Sequence, residues 1–253
     1  MKKDELQVEV YGTRDAMGAA AAERVAARIG MLLERQPFVN MVFAAAPSQN
    51  EFLRTLRASA IDWSRVRGFH MDEYIGLPMG AMQSFGLFLR ENLFGRAPFA
   101  EVYYINGNSF DPEEECRRYS ALLEQFPADI VCMGIGENGH IAFNDPPVAN
   151  FNDPLRVKVV ELDAACRQQQ VNDGCFPTLD AVPELAMTLT IPALMAGQYI
   201  YCIVPGPSKA AAVSHTLNEK IEEAYPASIL RKHPRAILFL DQSSSANLTI
   251  QSV

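Results

Sequence analysis

Apolar and polar positions along this chain follow two alternating rhythms. Leu6–Tyr11 alternates with period two, while residues 39–46, 129–134 and 199–204 are nearly unbroken apolar runs. The first pattern predicts a half-covered strand and the second predicts strands buried on both faces. Further strands are expected at 66–74, 101–105, 156–162 and 236–241. Between them lie segments of helical period: 15–34, 48–56, 84–94, 111–125, 163–171 and 208–219. Start signals support several of these. Thr13 can cap the first helix, Ser48-Gln-Asn-Glu51 reads as a capping box, and Asp111-Pro112 precedes three glutamates that suit a positive dipole end. Strands that alternate with helices imply an α/β fold with a mostly parallel sheet covered on both faces. Ligands of such sheets bind beyond the carboxyl ends of the strands.

Composition narrows the picture. The chain has 253 residues, 49% hydrophobic and 21% charged, enough for one sizeable core, and a single domain over 1–253 is expected. Lys plus Arg (22) against Asp plus Glu (30) gives a net charge of −8. That balance and the lack of a basic run argue against a nucleic-acid partner. No apolar stretch approaches the ~18 residues of a membrane span. The opening MKKDELQVEVYG lacks the apolar core of a secretion signal, so a cytoplasmic location is expected. The five cysteines (Cys116, Cys132, Cys166, Cys175, Cys202) show no zinc-type spacing. Cys132 and Cys202 fall inside apolar runs and read as reduced core residues. His215 and His233 read as ordinary surface residues.

Three segments place ionisable groups where strands end. Phe69-His70-Met71-Asp72-Glu73-Tyr74 carries two adjacent acids. Gly134-Ile-Gly136-Glu-Asn138-Gly139-His140 follows the most apolar strand and leads to Asn144-Asp145-Pro-Pro. Its Gly-x-Gly-x-x-Gly spacing imitates a dinucleotide loop, but His140 and the two prolines replace the long helix such a loop requires. Pro205-Gly-Pro-Ser-Lys209 puts a lysine in the first turn of a helix, where it opposes the dipole and suits an anion.

These segments resemble the glucosamine-6-phosphate deaminase/isomerase family, related in fold to 6-phosphogluconolactonases. The resemblance spans nearly the whole chain: MDEYIGLP at 71–78, GIGENGHIAFNDPP at 134–147, VPELAMTLTIPAL at 182–194 and GPSKA at 206–210. It implies a Rossmann-like three-layer α/β sandwich, a phosphorylated amino sugar as ligand, and no metal or cofactor. It also implies a place in amino-sugar (N-acetylglucosamine) catabolism. The reaction implied is conversion of glucosamine 6-phosphate and water to fructose 6-phosphate and ammonia. Asp72 then matches the base that moves a proton between C2 and C1, His140 the group that opens the sugar ring, and Lys209 a phosphate ligand. Glu73, Gly136 and Gly139 are counted with the substrate-contacting residues. Members of the family include monomers, trimers and hexamers, so a homo-oligomer is compatible with the resemblance.

Four departures from the family pattern stand out. Asn138 takes the place of an Asp two residues before the histidine, which weakens the bias toward a charged imidazole. Asp145 replaces a Glu, shortening its reach by about 1.5 Å. Ala44-Ala45-Ala46-Pro47-Ser48-Gln49 stands where a Gly-Gly-Thr-Pro phosphate loop is usual, so Ala45, Ala46, Ser48 and Gln49 become the expected anion contacts. The usual phosphate arginine aligns with Gln170, and Arg167, three residues earlier on a similar helical face, is the stand-in. Galactosamine 6-phosphate, a lactonase-type hydrolysis and a non-catalytic sugar-phosphate binder are the alternatives this pattern leaves open.

Overall fold

The computed structural model describes residues 1–248. In chain order the elements are β1 (Lys2–Lys3), β2 (Leu6–Tyr11), α1 (Arg14–Leu33), β3 (Val39–Phe43), α2 (Asn50–Ala58), β4 (Val66–His70), β5 (Asp72–Tyr74), α3 (Phe85–Leu89), β6 (Glu101–Tyr103) and α4 (Pro112–Gln125). They continue with β7 (Ile130–Met133), β8 (Val157–Glu161), α5 (Ala164–Asn172), β9 (Leu185–Leu189), α6 (Ile191–Met195), β10 (Tyr199–Val204), α7 (Ala210–Asn218) and β11 (Ala236–Asp241).

The main sheet runs β1-β2-β11-β10-β7-β3-β4-β6. Its pairings are parallel except for β1, which is antiparallel to β2 at one edge. Side chains alternate between two cores. Val39, Met41 and Phe43 of β3 join Met17, Val25 and Ile29 of α1 and Phe52 of α2 on one face. Val42 points to the other face, with Tyr119 of α4, Leu194 of α6 and Leu217 of α7. Burial on both faces explains why these strands read as continuous apolar runs.

Predicted helix starts form as drawn at Thr13, whose side chain accepts from Ala16 N, and at Asp111, which accepts from Glu114 N. The capping box at Ser48 does not form. Pro47–Gln49 is instead a single 3₁₀ turn, and α2 begins at Asn50 with no side-chain cap. Glu51 turns outward to Arg14, 2.7 Å away, because that cation lies across the α1–α2 contact.

The predicted strand 66–74 is two strands in different sheets. A second, antiparallel sheet of order β5-β9-β8 receives the chain at Asp72. It closes over a third cluster that includes Tyr74, Phe143, Val160, Cys166 and Phe176. His233 is buried, not a surface residue: its Nε2 lies 2.9 Å from Gly197 O and its Nδ1 accepts from Arg235 N. Burial lowers its pKa, against the pull of its bond to Gly197 O. All five cysteines are free thiols, with Cys132 and Cys202 in the core as expected. No helix among the described residues is long and apolar enough to cross a membrane.

Candidate active site

The order of the main sheet locates a crevice. From β3 the chain builds outward through β4 to β6, then returns with β7 to the other side of β3. Segments leaving adjacent strands β3 and β7 therefore diverge at their carboxyl ends, which opens a ligand site there. Ala44, Ala45 and Ala46 leave β3, the Gly134–His140 loop leaves β7, Lys209 follows β10, and Asp72 follows β4.

These segments line one small cavity of about 70 Å³. Asp72, His140 and Lys209 all reach it, together with Ala45, Ala46, Ser48, Gln49 and Gly136. Two roomier hollows, about 540 and 790 Å³, are lined by none of these residues. Chemistry selects the smaller cavity over them: it alone gathers an acid, an imidazole and a buried ammonium.

Asp72 is held where the chain crosses between sheets. Met71 O accepts from Leu189 N, and Asp72 O lies 2.9 Å from His70 Nδ1. The Asp72 carboxyl is buried, and that burial, together with the charge of Glu73, raises its pKa well above the usual carboxylate range. Glu73 points elsewhere. Its carboxylate accepts from Tyr74 N, Ser84 Oγ, Phe85 N and Gly86 N, so it caps the start of α3 and does not line the cavity.

His140 Nδ1 lies 2.9 Å from Asp145 Oδ1. The shortened acid still reaches, and Asp145 is fully buried beside the Nδ1 edge of the ring. Asn138 supports the pair from both ends: its Nδ2 donates to Asp145 Oδ1, and its Oδ1 accepts from His140 N. Burial pushes the Asp145 carboxyl up, but the adjoining His140 ring and the hydrogen bond from Asn138 together outweigh it, and the pKa falls below the ordinary value. Gly136 makes room for the imidazole, since a Cβ there would sit 2.2 Å from His140 Cε1. Ala142 adopts φ 49°, a left-handed conformation costly for alanine, at the wall of the cavity. Cys166 Sγ joins His140 and Asp145 as a third ligand-type atom, all within 4.8 Å of one another, and this donor set is where a cation would be held.

Lys209 is buried, and desolvation lowers its pKa against the opposing pull of Asp173 and Glu137. Gln49 spends its amide nitrogen on Ile203 O and Ser48 Oγ, tying the β3 turn to β10. Besides Glu73, two expected contacts are not brought here. The Arg167 guanidinium donates to Leu179 O and Val182 O, because its face of α5 turns toward the following loop. Gly139 instead shapes the loop, with φ +87° and its carbonyl bonded to Ala227 N. Sequence reasoning missed Gln169 and Asp173, which line the cavity. Gln169 Oε1 accepts from Glu137 N at 2.7 Å, linking α5 to the β7 loop. In the sequence they belong to an unmarked polar helix, and only tertiary packing singles them out.

Fold and site together define a Rossmann-like α/β protein that gathers an acid, an imidazole and a buried ammonium at the switch point of its sheet. Residues 12–238 match the family model described as glucosamine-6-phosphate isomerases/6-phosphogluconolactonase, and the chain belongs to that family. Two curated relatives, each named glucosamine-6-phosphate deaminase, come from Bacillus thuringiensis (strain Al Hakam) and Bacillus cereus (strain AH820). Each is 39% identical over 189 residues, covering 75% of this chain and 70% of the relative. A solved structure described as a monomeric glucosamine-6-phosphate deaminase superposes with a TM-score of 0.88 at 28% identity, covering 96% of this chain and 100% of that one. A 6-phosphogluconolactonase from Thermotoga maritima superposes with a TM-score of 0.77 at 20% identity, over 94% of this chain and 100% of that one, a likeness of fold.

Proposed function

We propose that this protein converts glucosamine 6-phosphate and water to fructose 6-phosphate and ammonia. The observation that carries the reading is the meeting of Asp72, His140 and Lys209 in one cavity, from positions scattered over the chain. Lys209, the free backbone N–H groups of the β3 turn and Ser48 hold the phosphate, supplying binding energy remote from the reacting carbons. His140, oriented through Nδ1 by Asp145, moves protons between the anomeric hydroxyl and the ring oxygen to open the ring. Asp72 takes the proton from C2 of the open-chain aldose and returns one at C1. C2 loses two electrons and C1 gains them, so no external redox partner is required. The resulting C2 imine adds water, the C–N bond breaks, and ammonia leaves. Burial suits Asp72 to this task by raising its basicity.

A lactonase would use the imidazole to activate water and leave Asp72 idle. The deciding assay supplies purified protein with glucosamine 6-phosphate, galactosamine 6-phosphate and 6-phosphogluconolactone in parallel. Ammonia and ketose phosphate from glucosamine 6-phosphate are expected. Ammonia from galactosamine 6-phosphate alone would move the substrate to the C4 epimer. Acid from the lactone without ammonia would replace this function by hydrolysis, and binding without turnover would make the protein a sensor.

A further inference from the structure

We infer that His70 is a positioning residue for Asp72, acting through the backbone of the peptide that carries the carboxyl; the inference rests on the reading of Asp72 as the proton-transfer base. His70 ends β4 and is completely buried. Its ring bridges two backbone groups. Ile105 N donates to Nε2 at 2.8 Å, so Nε2 carries no proton. Nδ1 therefore carries the proton and donates it to Asp72 O at 2.9 Å, since a carbonyl can only accept. The bridge ties the first residue of the small sheet to the chain just beyond β6 of the large one.

His70 is itself immobilised. The Tyr119 hydroxyl of α4 accepts from His70 N and donates to His70 O, with Tyr103 O as a further acceptor. The neighbouring carboxylates Glu73 and Glu115 favour a charged ring, but burial outweighs them and lowers the pKa, keeping the bridge neutral. Asp72 is thereby fixed from three directions: β9 through Leu189 N, β6 through the His70 ring, and α4 through Tyr119. At the junction of two sheets this ring spans both, and the chain's only residue between His70 and Asp72 is Met71. Proton transfer between adjacent carbons requires that kind of fixity, because a shift of about 1 Å in a reacting group can cost ~100-fold in rate.

Two substitutions separate the two ends of the bridge. The amide nitrogen of His70→Asn takes the place of Nδ1 and keeps the bond to Asp72 O. The amide oxygen of His70→Gln takes the place of Nε2 and keeps only the bond from Ile105 N. With ammonia release from glucosamine 6-phosphate as the readout, His70→Gln is expected to lose about 10- to 100-fold in kcat with KM little changed. His70→Asn is expected to stay within about threefold of the wild type. The acid limb of kcat should move to lower pH in His70→Gln alone, as Asp72 gains water while Glu73, His140, Lys209 and Asp173 remain. Undiminished kcat in His70→Gln, or equal losses in both variants that follow their melting temperatures, overturns the inference. Should His70→Gln not fold, His70→Asn decides: retained kcat supports the tether, and a tenfold loss in a stable protein overturns it. If the wild type itself releases no ammonia, the deaminase reading falls and takes this inference with it; ammonia from the wild type with an unimpaired Gln variant removes the inference alone.

Discussion

Two aspartates of the site are pushed in opposite directions by their surroundings. Asp72 is buried beside another acid and binds its proton more tightly than an ordinary carboxyl; Asp145 is buried beside donors and binds it less tightly. On the proposed mechanism the raised group must be ionised to accept a proton. The rate should therefore fall as pH drops through a point above the usual carboxylate range, which a pH profile of kcat will measure. The same shift has a stability consequence. A folded-state pKa raised above the unfolded value gives stabilisation that is complete at low pH and lost as pH rises through the folded value. Asp72 therefore becomes a growing net cost as pH rises above the usual carboxylate range, so Asp72→Asn should raise the melting temperature more at high pH than at low pH, by roughly 2–4 °C for each ~1 kcal/mol relieved. Lys209→Met should raise KM by about 10- to 100-fold, the worth of a charge-assisted hydrogen bond, in steady-state kinetics. At this scale the sequence spoke clearly where a residue type was unusual for its place. Asp72, His140 and Lys209 were legible because ionisable groups ended apolar strands. His233 and Arg167 misled because their partners are backbone groups, which leave no trace in a side-chain pattern.

At the scale of elements, the β7 loop depends on close approach. Gly136→Ala would drive a methyl group into the His140 ring. Displacement of the imidazole should abolish most activity while overpacking costs about 1–3 kcal/mol, separable by assaying turnover beside a urea melt. Long elements with caps, α1 and α4 above all, were readable from periodicity and start signals. The break between β4 and β5 was not, because Met71 and its neighbours are apolar or buried on both sides of the crossing. The missing strand β9 hid for a related reason: exposed Leu185 and fully buried Thr188 invert the expected alternation, and Thr188 is buried because its hydroxyl accepts from Phe143 N. The false capping box had the right residue types, but an inter-helix partner for Glu51 in Arg14 proved the stronger contact.

Over the whole molecule, strand–helix alternation was enough to read a parallel sheet and to place its ligand end, because short parallel crossovers admit few topologies. The second sheet required contacts between segments about 115 residues apart, Asp72 with Thr188, which no local pattern encodes. Its role is architectural and chemical at once: it seats Asp72 beside a crevice otherwise built by the large sheet. Along one wall of the cavity Gln169 ties α5 to the β7 loop through Glu137 N, so the small sheet, α5 and the large sheet meet around the same crevice. Ammonia release from glucosamine 6-phosphate, compared between the wild type and a folded Asp72→Asn variant, probes the account most directly. Rapid release by the wild type and a loss of at least about 100-fold in the variant are predicted; comparable release from both would mean that the carboxylate is not the group that moves the proton.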